Sequence, residues 1–177
     1  MARKSYNSRL LMLSEIDESN VNKIIEAIYY FNEEDKDKDK VLNNIEPIQI
    51  ILKSEGGSVY DGLALMDVID SSKIPIHITA HGCVMSMALN VLVAGHNRIC
   101  SKHTTFMYHE GWYDVGEKAI QEHKDELKEA ERLEVICDNY LISKTKLTEE
   151  FLSKKKSKNW YFDAQEALKW GVVDKIL

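Results

Sequence analysis

The chain has 177 residues, 44% of them apolar and 29% charged, which suits a single globular domain over 1–177 with a core that needs no disulfide or metal to staple it. Its formal net charge of -6 argues against a nucleic-acid binder, because phosphate recognition requires a clustered excess of Lys and Arg. Cys83, Cys100 and Cys137 are odd in number and lack paired spacing, so neither a disulfide framework nor a zinc knuckle is expected.

Met1 to Ser8 opens no apolar signal segment, so secretion has no support and a cytoplasmic setting is expected. The first predicted element is a helix: Val21, Ile24, Ile25 and Ile28 fall on one face after the capping candidates Asp17 and Ser19, through about Phe31. The run from Glu33 to Lys40 is nearly balanced in charge and has no apolar periodicity, which predicts a solvated spacer loop. Ile48 to Leu52 is β-branched and strand-like. It breaks at Ser54-Glu-Gly-Gly-Ser58, and helical spacing resumes from Leu63 to Ile69.

Ile76 to Ala80 predicts the next strand, Gly82 to Ser86 a second glycine-containing turn, and Met85 to Ala94 a helix. The weakly polar stretch Gly82 to Gly95 is too short to span a bilayer and is interrupted by Ser86 and Asn90, so no membrane partner is expected. Arg98 to Cys100 and Thr104 to Tyr108 read as short strands. A long polar helix follows, about Glu117 to Ser143, with Ile120, Leu127, Ala130, Cys137 and Leu141 as an interrupted apolar stripe that calls for a partner surface. The basic run Lys154 to Lys156 reads as a solvated helix end. Asp163 to Glu166 forms a capping box, Gly171 closes that helix, and Val172 to Leu177 predicts a final strand. Strands alternating with helices imply βαβ units in an α/β fold.

Chemistry is expected where strands hand over to helices. A serine at such a junction, Ser86, suits a nucleophile, because helix N-terminal amides stabilise developing negative charge and the Met87 N–H can serve as an oxyanion donor. Gly57, in the earlier glycine turn, can bring a second N–H close to a substrate. His109, at the end of an apolar strand, is the candidate base. His77, His81, His96, His103 and His123 lie in strands, turns or polar surroundings and compete weakly.

The ordered set Ser54-x-Gly-Gly-Ser-Val59, Asp61-Gly62, Gly82-x-x-x-Ser-Met87, Ala94-Gly95, Met107-x-His109 and Glu166-Ala-x-x-x-Gly-Val-Val-Asp174 resembles the successive motifs of the ClpP peptidases, from about Arg9 to Leu177. The resemblance implies a ClpP/crotonase-type spiral of βαβ units with a projecting handle helix. It implies a serine endopeptidase with Ser86 as nucleophile, His109 as base, and Gly57 and Met87 as oxyanion donors. Ser58 and Val59 on one side, Glu110 and Gly111 on the other, would hold an extended peptide by main-chain pairing. The implied partners are unfolded or small protein substrates, sister subunits in heptameric rings that stack into a tetradecamer through the handle, and an AAA+ unfoldase. No metal or organic cofactor is implied.

The sequence departs from the family at several points. Asn159 stands where the family usually has the triad aspartate, which leaves an amide oxygen able to orient the imidazole but less able to stabilise its cation. Asp163 is the alternative carboxylate, already committed by its capping context. Met85 replaces a small residue before the nucleophile, Glu55 a proline before Gly56-Gly57, and Lys158 and Trp160 the charged neighbours that couple the triad to ring contacts, so double-ring assembly is less secure than a single ring. Only Met1 to Ser8 precede the resemblance, so the axial hairpins that meet an unfoldase are expected to be missing, as in chains encoded by some bacteriophages. The rival readings are a catalytically weak structural ring subunit, a phage capsid-processing peptidase, and an acyl-CoA enzyme of the crotonase type. The last would rely on carboxylates for acid–base work.

Overall fold

The computed structural model describes residues 6, 8–36, 45–111, 116, 119–156 and 158–177. The chain opens on a short strand, β1 (Leu10–Leu13), which the alternation test misses because Leu10-Leu-Met-Leu13 is apolar throughout. Helix α1 (Glu18–Glu34) follows; its N-cap is Asp17, whose carboxylate accepts from the Asn20 amide. Val21, Ile24, Ala27, Ile28 and Phe31 turn inward, as their spacing requires.

The expected spacer after α1 is partly structural. The helix continues through Glu34, and the Asp35 carboxylate is buried against Arg9, whose guanidinium donates to it at 2.7 Å and lies over the Phe31 ring. A buried charge survives only when paired, and Arg9 supplies the pair. The remainder of that run, 37–40, lies outside the described residues.

Strand β2 (Ile48–Ser54) leads through the Gly56-Gly57 turn into α2 (Val59–Ser71), capped by the Ser58 hydroxyl, which accepts from the Asp61 amide. Strand β3 (Ile76–Met85) is twice the expected length, so the segment around Gly82 is strand and not a turn. Its pairing with β2 slips there: Leu52 faces Ala80, but Ser54 faces Val84. The slip is a bulge, and bulges bend strands. Before it, β3 pairs with β4 (Asn97–Cys100); after it, with β5 (Thr105–Tyr108). One strand thereby carries two neighbours on the same side and delivers its end to the site.

Between β3 and β4 runs α3 (Met87–Ala94), buried at every residue. It packs on α2, where Gly62 leaves room for the Met87 side chain. The long helix is α4 (Ile120–Lys144), close to its expected span; the expected start, Glu117, lies outside the described residues. Helix α5 (Glu149–Lys156) ends in the basic run, but only part of that run is the solvated end expected: Lys154 is exposed, whereas Lys156 is half-buried and paired with Glu134 and Asp138.

Strand β6 (Trp160–Phe162) pairs antiparallel with β5, the one antiparallel junction in an otherwise parallel sheet among the described residues. Helix α6 (Ala164–Trp170) has the anticipated caps: Asp163 accepts from the Glu166 amide, and Gly171 takes the left-handed conformation at its end. The closing strand is shorter than expected. Only β7 (Lys175–Ile176) pairs with β4, while Val172 and Val173 are buried beneath α6 and Asp174 binds Arg98 through two oxygens at 3.0 and 2.6 Å. The main sheet runs β1-β2-β3-β4-β7, with β5 and β6 added beside the second half of β3.

Candidate active site

Ser86 stands between β3 and α3 with φ 53° and ψ -131°, the one non-glycine residue with positive φ among the described residues. That conformation costs on the order of 1–3 kcal/mol for a residue with a Cβ and persists only where its surroundings hold it. Here the Ser86 amide donates to the Met107 carbonyl at 2.9 Å, which ties the turn to β5. Although Ser86 occupies the N-cap position of α3, its hydroxyl caps nothing. It lies 2.7 Å from Nε2 of His109 instead.

His109 reaches this place because β5 pairs with the bent half of β3, bringing Met107 opposite Met85 and the strand end beside the Ser86 turn. Burial holds the imidazole below its ordinary pKa of 6.5. A neutral ring can accept the serine proton, so burial favours the form a general base needs.

The two glycines of the earlier turn close on the same point. At Gly56, φ is 115° and a Cβ would stand 2.8 Å from the Ser86 Cβ and 3.2 Å from its Oγ. At Gly57, φ is 143° and a Cβ would press to 2.2 Å from the Ile16 carbonyl oxygen. Both positions exclude other residues by conformation and by space. The turn is pinned by Ile16, whose amide donates to the Gly56 carbonyl at 3.0 Å and whose carbonyl accepts from Ser58 at 2.7 Å. The amides of Gly57 and Met87 take no part in these turn and cap bonds.

Ser86, Met87 and His109 line a cavity of about 450 Å³ together with Val59, Tyr60, Asn90, Tyr108 and Gly111. Its far wall is α4, through Ala130, Leu133, Glu134, Cys137 and Asp138. The stripe on α4 therefore divides: Ala130 and Cys137 wall the cavity and Leu141 enters the core, while Ile120 and Leu127 stay exposed.

Sequence reasoning missed the charged clip that joins this wall to the site. The Lys156 ammonium lies 2.8 Å from Asp138 and 3.2 Å from Glu134. Asp138 also accepts from the Tyr108 hydroxyl at 2.9 Å, and Glu134 from the Gly111 amide at 3.4 Å. The clip holds the Tyr108 side chain and the Gly111 backbone, one on each side of His109. Burial opposes the charge on Lys156, but the two carboxylates outweigh it and lift its pKa above the ordinary value. The i, i+4 spacing of Glu134 and Asp138 was a readable signal; their cation, 18 residues beyond Asp138, was not.

Asn159 directly precedes β6, whose Trp160 faces Tyr108 in the ladder, so it stands at the strand end beside His109. It is exposed, and the only hydrogen bond of the His109 ring among the described residues is to Ser86. Asp163 serves as the α6 cap. Of the other histidines, Nδ1 of His96 accepts from the Ile76 amide at 2.8 Å, and Nδ1 of His81 lies 2.6 Å from the Ser101 hydroxyl. Both are structural. Among the described residues no group of three or more His, Cys, Asp or Glu side chains could hold a metal ion, and no helix is long and apolar enough to cross a membrane.

The chain is 26% identical over 172 residues to ATP-dependent Clp protease proteolytic subunit 3 of Synechococcus sp. (strain CC9902), covering 96% of this chain and 82% of that protein. It is 29% identical over 175 residues to ATP-dependent Clp protease proteolytic subunit 1 of Prochlorococcus marinus (strain MIT 9312), covering 96% and 84%. Among solved structures it resembles the ClpP protease catalytic domain from Plasmodium falciparum, with a TM-score of 0.77 and 26% identity over 96% of this chain and 84% of that one. The fold is thus the ClpP type expected from the motifs. A sequence model described as Clp protease matches residues 2–177, and the chain belongs to that family.

Proposed function

We propose that the chain is a serine-type endopeptidase subunit in which Ser86 is the nucleophile and His109 the general base. The observation that carries this reading is the 2.7 Å approach of His109 Nε2 to a serine hydroxyl held in a strained turn that caps no helix. His109 takes the proton from Ser86 Oγ as that oxygen bonds to the substrate carbonyl carbon, and the carbonyl oxygen becomes an anion facing the amides of Gly57 and Met87. The imidazolium then gives its proton to the departing amine as the C–N bond breaks. Water, activated by His109, releases the acyl group and restores Ser86.

Ser58 and Val59 on one side and Glu110 and Gly111 on the other pair with the extended main chain of an unfolded peptide. This chemistry draws on no metal or organic cofactor. In the family's pattern the subunits form a heptameric ring with the catalytic sites facing an inner chamber, a second ring stacking through α4 and an AAA+ unfoldase feeding it, in the cytoplasm. The exposed Ile120, Leu127 and Val135 of α4 support self-association.

Asn159 supplies an amide where the family has a carboxylate, and turnover is correspondingly slow. A second reading, a ring subunit without turnover, is favoured by the absence of any hydrogen bond to His109 Nδ1 among the described residues. Hydrolysis of a fluorogenic peptide by the purified protein, compared with Ser86→Ala, separates the two. Turnover that disappears in the variant supports the enzyme, and equal rates from both proteins refute it.

A further inference from the structure

Tyr60, the second residue of α2, and Glu129, on α4, stand on different walls of the cavity and are joined by a hydrogen bond: the Tyr60 hydroxyl donates to Glu129 Oε1 at 2.9 Å. Arg132 steadies the acceptor, its Nε and Nη2 each donating to one oxygen of the same carboxylate at 2.7 Å. Core packing does not place the Tyr60 ring, which is 61% exposed. The Glu129 side chain is 38% exposed, whereas Met87, deeper in the same cavity, is 3% exposed. The bridge therefore runs along the solvent edge of the cavity that Ser86 and His109 line.

The bridge is formed across the ordinary pH range. The hydrogen bonds from Arg132 and then Tyr60 hold the Glu129 carboxyl down at about 2, and the same bond to Glu129 lifts the Tyr60 hydroxyl above its ordinary value of 10. Donor and acceptor thus keep the proton and the charge that the bond needs.

A bridge in this place could plug the cavity or roof it. The cavity measures about 450 Å³ with the bridge formed, so room for a substrate side chain remains beneath it. Val59, Met87, Ala130 and Leu133 give that space apolar walls, and the Tyr60 ring adds apolar cover. A ring already fixed by its hydroxyl covers a bound group at a smaller entropic cost than a free one. The group concerned belongs to the residue being acylated, because its Cβ is two bonds from the carbon that joins Ser86 Oγ, nearer than any other side chain of the peptide. An alanine there ends at Cβ and gains little from a roof.

Resting on the reading of Ser86 as the nucleophile, we propose that Tyr60 is a specificity-determining residue: a strap, latched to Glu129, that roofs the side chain of the residue being acylated and favours long apolar side chains over alanine.

The test uses the full chain and two fluorogenic peptides that differ only at that residue, phenylalanine or alanine, with rates normalised to serines titrated by a fluorophosphonate. Tyr60→Phe keeps the ring and loses the latch; it is expected to raise KM for the phenylalanine peptide at least ~3-fold with kcat within about twofold, and to leave the alanine peptide unchanged. Glu129→Ala should do the same, whereas Glu129→Gln, whose amide oxygen still accepts from the phenol, should stay close to the wild type. Tyr60→Phe combined with Glu129→Ala should be no worse than either alone, because both remove one bond. An unchanged KM in Tyr60→Phe, equal losses with the two peptides, or additive losses in the double variant overturns the proposal while leaving Ser86 as nucleophile. A wild-type protein with no titratable serine overturns both.

Discussion

Tyr108 faces Trp160 as the last registered pair of the β5–β6 ladder, which sets the residues just beyond them, His109 and Asn159, at adjoining strand ends. Trp160 is fixed there by stacking on Phe162 at 4.2 Å between centroids and by the edge of Phe151 at 4.9 Å. A carboxylate at position 159 would therefore stand near the imidazole with little rearrangement. Asn159→Asp should raise kcat/KM by tenfold or more, within the roughly 10⁴ that a triad carboxylate can contribute. An unchanged or lower rate in peptide hydrolysis would show that the missing charge is not the limitation.

The pH profile carries a sign that can be checked. Burial lowers the His109 pKa from 6.5, so the acid limb of kcat/KM should have its midpoint below pH 6.5. Between the folded and unfolded pKa values the unfolded chain binds more protons at this group, so stability is complete above the unfolded value and declines as pH falls through the window. In Asn159→Asp the added negative charge should move the midpoint upward. A midpoint above 6.5 in the wild type would contradict the burial argument.

Gly56 tests how tightly the nucleophile is seated. With φ at 115° and the added Cβ at 2.8 Å from that of Ser86, Gly56→Ala must strain the turn or displace the serine. Denaturant unfolding should show a loss of about 1–3 kcal/mol, and peptide hydrolysis should fall by more than the folded fraction explains. Wild-type activity in a folded Gly56→Ala protein would mean that the turn does not position Ser86.

Lys156 should matter although it is remote in sequence from the catalytic pair. Lys156→Met leaves Glu134 and Asp138 facing each other without a cation and should lower stability at neutral pH by roughly 1–3 kcal/mol, with a rise in KM as Gly111 loses its anchor. Because the folded pKa of Lys156 is raised, its contribution is present below the ordinary value of 10.5 and lost as pH climbs through the folded value. Urea unfolding at pH 7 and pH 11 reads both effects; no difference between variant and wild type at pH 7 would make the clip incidental.

The helices and their caps were legible because each carries a local signal: the inward face of α1, the Asp163 cap and Gly171. The ordered motifs carried the fold type, and Ser86 and His109 stood at junctions where chemistry is usually presented. What stayed hidden depends on tertiary pairing. β1 and β6 are too short and too uniform to announce themselves, and the bend in β3 appears only when its register against β2 slips between Leu52 and Ser54. The Lys156 clip required the α4 wall to be in place, since no local periodicity ties Lys156 to Ser86, and the lack of a partner for the Asn90 side-chain oxygen shows only in the packed fold.

The most direct test of Ser86 as a nucleophile activated by His109 is covalent labelling with a fluorophosphonate, read by intact mass and peptide mapping. The expected result is one phosphonyl adduct per chain, located at Ser86, absent from Ser86→Ala and formed at least 100-fold more slowly in His109→Ala. An unlabelled wild-type protein, or an adduct that persists in Ser86→Ala, would contradict it.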